Sequence, residues 1–151
     1  MMRKLAAAGL AVALGAGAAT AFAQVKPETL VKQRQSAMTL QWKYFGPLLR
    51  MAKGQQPYDG AVAARNAGYL ETLTKMPWDG FAESTKGVKD TSALPAIWAE
   101  PAKFKQGQDR LHTAMAALVA ASKGADEAAV KAAIGDVDKA CGGCHDNFKK
   151  Q

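Results

Sequence analysis

From Pro27 onward, apolar side chains recur at steps of three, four and seven residues, and no segment alternates with the two-residue period of a strand. Four stretches carry this helical spacing. The first, about Pro27 to Lys53, opens with a proline suited to a first helical turn. It places Val31, Met38, Phe45 and Ala52 seven apart, with Leu30, Ala37 and Leu49 beside them. Pro47 lies inside it and removes one backbone hydrogen bond, so a kink is expected near Lys43 to Gly46. Asp59 is placed to cap a second helix whose stripe is Val62, Tyr69, Leu73 and Met76, closed by Pro77.

Glu100 to Lys123 forms the third stretch, with Phe104, Leu111, Met115 and Leu118 on one side and Gly124 as terminator. Asp126 caps the fourth, whose stripe is Val130, Ile134, Val137, Cys141, Cys144 and Phe148. Four amphipathic helices, mostly joined by short turns, predict an all-α fold, an antiparallel four-helix bundle. The exception is the join at residues 77–99. It holds Trp78, Phe81 and Trp98, and rings of that size need a surface to pack on.

Composition changes the picture at the N-terminus. Met1-Met2-Arg3-Lys4 is a short basic start, followed by an Ala, Leu, Val and Gly run and then Ala21-Phe22-Ala23. This is the layout of a cleaved secretory signal over residues 1–23 rather than a membrane anchor, with residues 24–151 as one mature domain. Without the signal, 18 Lys and Arg face 13 Asp and Glu. The positive residues are spread along the chain, so no nucleic-acid binding is expected. An acidic partner and a solvated helix face explain that mild excess equally well.

The candidate chemistry lies in KACGGCHDNF, residues 139–148, which contains the only two cysteines. On a helix, Cys141, Cys144 and His145 stand at i, i+3 and i+4 and share one side, continuous with the apolar stripe. Zinc would need a fourth ligand, and His112 is the only other His or Cys. A redox dithiol is usual beside a strand-to-helix junction, which this pattern lacks, and a disulfide leaves His145 unexplained. Covalent haem uses all three: each thiol adds to a vinyl group, and His145 binds iron. Gly142 and Gly143 each cost a helix about 1 kcal/mol against Ala, a loss more easily tolerated where a flat macrocycle lies close to the backbone.

With that motif at the C-terminal end, the chain resembles cytochrome c prime, the bacterial class II c-type cytochromes. The likeness rests on KPETLVKQRQSAMTL, KGQQPYD, MPWDGF, PAIW and GDVDKACGGCHDNFKK, and spans nearly all of residues 24–151. It implies a periplasmic bundle, commonly a homodimer, with one covalent haem c whose iron is high-spin and five-coordinate. Such proteins bind nitric oxide and carbon monoxide and exchange electrons, here with an unidentified redox protein, and no membrane association is expected after signal cleavage. The resemblance matches Cys141 and Cys144 to the thioether positions and His145 to the proximal ligand. It matches Arg34 and Gln35 to contacts of the haem propionates, with Thr91 and Ser92 as further contacts from the loop. Lys149 departs from the family's common pattern, which has Arg there.

Met38 matches the position facing the distal side of the iron. In high-spin members a bulky apolar residue there crowds the iron without binding it. Low-spin relatives use a Met from this region as sixth ligand, and an occupied iron suits electron transfer. The expectation adopted is the open, crowded site. His112 is placed at the rim, and no signature of a non-haem enzyme accompanies the motif.

Overall fold

A computed structural model describes residues 25–150; the signal segment expected over residues 1–23 lies outside them. Its helices are α1 (Pro27–Ala52), α2 (Gly60–Leu73), the single turn α3 (Ala96–Ala99), α4 (Pro101–Ala121) and α5 (Glu127–Phe148). The long helices close a ring, α1 packing on α2 and α5, and α4 likewise on α2 and α5. None of the described helices is long and apolar enough to cross a membrane.

The helix starts follow local chemistry. Asp59 accepts from the Val62 N–H at 3.0 Å, and Asp126 accepts from Ala128 and Ala129 at 2.9 and 3.1 Å. Each carboxylate satisfies amides that the first turn would otherwise leave unpaired. α1 stays helical through Pro47 to Ala52. The core joins Phe45 and Leu48 of α1, Leu70 of α2, Leu118 of α4, and Val130 and Ile134 of α5.

Two details of α2 differ from the sequence reading. Tyr69 and Met76 are 48 % and 55 % exposed, and Ala63, Asn66, Ala67 and Leu70 face inward instead. Tyr69 precedes Leu70 by one residue, about 100° around the helix; small Ala side chains let the adjacent stripe approach the bundle closely. α2 also ends at Leu73, before Pro77, where Thr74 turns both its N–H and its hydroxyl back to the Leu70 carbonyl, at 2.9 and 2.8 Å.

Residues 77–99 are ordered by their aromatics. Short 3₁₀ turns at Trp78–Phe81 and Glu83–Thr85 lie against α1. Phe81 meets Phe104 at 4.9 Å, Phe104 meets Phe148 at 5.2 Å, and the Trp98 indole N–H donates to the Phe81 carbonyl at 2.9 Å. The loop then pairs with the chain end. Leu94 donates to Phe148 O and Lys150 donates to Ser92 O, at 2.9 and 2.8 Å.

Gly80 sets how closely this loop meets α1. A Cβ there would stand 2.5 Å from Arg34 Cβ and 2.8 Å from the Leu30 carbonyl. Gly80→Ala is therefore expected to destabilise the fold by about 2 kcal/mol, the usual scale of overpacking. Urea unfolding checks this, and an unchanged midpoint would show that the loop yields freely.

Candidate functional site

The α5 register brings Cys141, Cys144 and His145 to one cavity of about 320 Å³. Met38 and Phe45 of α1, Phe104 and Leu111 of α4, and Trp78 and Phe81 of the loop also line it. Most of this wall is hydrocarbon. Opposite Cys144 the α4 backbone comes near at Gly107, where a Cβ would lie 3.8 Å from Cys144 Sγ.

Both cysteines are free thiols and half-buried. Burial, with Asp138 and Cys144 adding, pushes the Cys141 thiol up to about 11. Burial also raises Cys144, against the opposing pull of Arg110. Neither is poised as a thiolate at neutral pH, so dithiol redox chemistry loses its nucleophile. Zinc loses support as well, because no three His, Cys, Asp or Glu side chains among the described residues converge on a metal position. His145 is exposed at the helix surface, yet partial desolvation, and then the Lys149 charge, lower its pKa, with Asp146 opposing. A neutral imidazole keeps the lone pair that an iron ligand needs.

Arg34 is the electrostatic anomaly of the site. It is only 3 % exposed, and burial lowers its pKa. Its Nη1 donates to the Gly80 carbonyl, its Nη2 donates to Thr91 Oγ1 at 2.6 Å, and its guanidinium lies 4.3 Å from the Phe81 ring centroid. These partners are all uncharged. A buried cation among neutral groups is costly without a counter-charge, and this one lines the cavity. Gln35 donates to the Asp90 carbonyl at 3.2 Å, and Gln35, Thr91 and Ser92 line the cavity beside Arg34.

The structure thus gathers the expected haem-site residues Arg34, Gln35, Met38, Thr91, Ser92, Cys141, Cys144 and His145, from α1, the loop and α5, around one space. His112 stands apart, half-buried between helices: the Trp78 indole N–H reaches its Nε2 at 3.2 Å, and the Thr74 carbonyl lies 3.3 Å away. Sequence reasoning did not find Gly80, whose carbonyl holds Arg34, nor Trp42, which lines the rim and is 64 % exposed. The hydrogen bond between Arg34 and Gly80 joins residues 46 apart, a pairing no local pattern reveals.

The donor set fits a c-type haem. Two unpaired thiols one helical turn apart stand beside a neutral imidazole, an apolar wall and an uncompensated cation suited to a carboxylate. Beyond the local helix backbone, nothing stands within 4 Å of where a Cβ would sit on Gly142 or Gly143, so packing within the chain does not require glycine there.

Comparison with known proteins gives the same picture. Residues 29–149 match the family model described as Cytochrome C′. The cytochrome c′ of Rubrivivax gelatinosus is 42 % identical over 126 residues, 83 % of this chain and 98 % of that protein. Its crystal structure superposes with a TM-score of 0.79 over the same shares of the two chains. A nitric oxide complex of a variant of cytochrome c prime from Alcaligenes xylosoxidans is 41 % identical, with a TM-score of 0.77 over 84 % of this chain and 98 % of that one. Another variant of that protein, with carbon monoxide bound, matches with the same identity, TM-score and coverage.

Proposed function

This chain belongs to the cytochrome c′ family, an all-α four-helix-bundle family whose cofactor is haem c, and from that premise we propose that it is an exported haem protein with a five-coordinate iron that binds nitric oxide and carbon monoxide. One observation carries the reading: Met38 and the Cys141, Cys144 and His145 set line one mostly apolar cavity that also holds a buried cation. When bound, haem supplies an iron centre that accepts a small uncharged gas and changes oxidation state by one electron.

The chain's own residues do the rest. Cys141 and Cys144 would each hold the macrocycle through a thioether. His145 would offer the iron the lone pair of its neutral ring. Arg34 offers its guanidinium to a propionate, with Gln35, Thr91 and Ser92 beside it. Phe45, Leu70 and Phe104 exclude water, so charged ligands lose their hydration on entry while a diatomic gas does not. Met38 crowds the distal space with a flexible thioether side chain that moves aside for a small ligand. The alternative, Met38 as sixth ligand in a low-spin electron carrier, is favoured only by its position on the cavity wall.

Three further parts of the reading concern the setting. Residues 1–23 act as a cleaved export signal, the mature protein works in the periplasm, and it exchanges electrons with a protein partner. A second copy pairs across the α1–α2 side, where Leu40, Tyr69 and Met76 leave apolar surface exposed. The test of gas binding is a titration of the reduced protein with carbon monoxide, followed in the Soret region. One equivalent bound per chain is expected; a spectrum indifferent to saturating gas would refute the open site.

A further inference from the structure

The mature chain's excess positive charge is not evenly placed. Residues 26–53 carry six of its eighteen Lys and Arg but only one of its thirteen acids, Glu28; the remaining residues carry twelve of each. Cations are spread along the chain, whereas acids are missing from α1. The six ion pairs found among the described residues all lie elsewhere, among them Lys75–Glu71, Lys103–Glu100 and Lys131–Glu127. Away from α1 the surface neutralises itself. On α1 it does not.

Lys32, Lys43 and Arg50 are exposed and fall on one side of α1 at 100° per residue, along about 27 Å of helix. Trp42 borders that ridge. A Cβ on Gly46 would lie 3.9 Å from the Trp42 ring and 3.5 Å from Arg50 Nη1, so indole and guanidinium both border the notch that glycine leaves. Trp42 and Gln35 also line the cavity, so the charged face and the cavity rim are continuous. Leu40 lies 200° from Trp42 around the helix, on the side assigned above to self-association. Of the acids, Glu28 and Asp90 flank the N-terminal end, Asp90 through the Gln35 contact, and Asp138 lines the cavity whose rim Trp42 shares.

We propose that this face of α1, the ridge of Lys32, Lys43 and Arg50 bordered by Trp42, docks an acidic protein that carries a one-electron centre. The proposal rests on the haem reading above and names its partner surface. The step is outer-sphere: one electron leaves the partner's reduced centre and reduces ferric iron, and no bond forms or breaks. A second copy of this chain would set like charges against each other. A lipid surface would want an apolar helix face, and that of α1 is turned into the bundle. A complementary acidic patch gains steering over the whole ridge.

The test uses haem-loaded protein and an acidic plant-type [2Fe–2S] ferredoxin, whose potential near −400 mV suits it as donor. Binding is read by NMR line broadening with both proteins oxidised, and reduction by stopped flow at several salt concentrations. Reversing charge at Lys32→Glu, Lys43→Glu and Arg50→Glu is expected to abolish broadening and slow reduction at least about tenfold at low salt. Reversing Lys103→Glu, Lys105→Glu and Lys139→Glu, an equal change of net charge, is expected to leave both within about threefold. Trp42→Ala should keep the salt dependence and lower the rate. Equal losses in the two triple variants, or binding to phosphatidylglycerol vesicles in place of ferredoxin, would overturn the assignment. Carbon monoxide titration of the same proteins reads the haem site alone, so a wild type that binds no gas indicts that site and not the docking face.

Discussion

Replacing Cys141 and Cys144 together by alanine will give a protein that loses all its haem on denaturation. The wild type should keep its haem through a denaturing gel, as a band that stains for haem peroxidase activity. Each single variant should retain one thioether and a fainter band. The effect is all-or-none because only these two thiols exist in the chain, and no other side chain offers a nucleophile for a vinyl group at this place. Deleting residues 2–23 should give the same haem-free outcome if attachment follows export. Haem retained through denaturation by the double variant would contradict the thioether assignment.

Met38→Ala is expected to have the second-largest effect, raising carbon monoxide affinity roughly tenfold. Met38 is half-buried on the cavity wall. A buried Met side chain is worth about 1.5–3 kcal/mol in burial, so a partly buried one displaced by a ligand costs about 1.4 kcal/mol, a factor of ten in affinity. Alanine removes that cost while leaving the other walls in place. The check is a carbon monoxide titration of both reduced proteins. An unchanged or weakened affinity in the variant would show that Met38 does not obstruct the distal space.

The sequence made much of this site legible because its chemistry is local. Cys141, Cys144 and His145 lie within five residues on one helix, and helical geometry alone puts them on one side. The caps Asp59 and Asp126 were equally readable, since a carboxylate just before an apolar-periodic run has one favoured use. The stripe of α4 was read correctly as well, with Phe104, Leu111, Met115 and Leu118 all buried.

What escaped depended on tertiary partners. The stripe through Tyr69 and Met76 is a valid amphipathic pattern, but an adjacent one built on Ala63 and Ala67 packs closer. The expected stripe of α1 ended on Ala52, which is only half-buried, while Leu48 and Met51 are core because that side of the last turns packs inward. The surroundings of Arg34 come from Gly80, Phe81 and Thr91, forty-six or more residues away. Resemblance pointed to Arg34, but only the fold shows that it is buried among uncharged partners. Its cationic neighbours on α1 escaped for another reason: along the chain they look dispersed, and only the missing acids mark the helix as one-signed.

The central claim, an open iron site with Met38 as a gate, is tested most directly by one optical spectrum of the purified ferric protein. A five-coordinate centre held by His145 alone predicts a high-spin spectrum that remains high-spin in Met38→Ala. A low-spin spectrum with a Met-to-iron charge-transfer band, turning high-spin when Met38 is removed, would contradict the gate and make this chain a six-coordinate electron carrier.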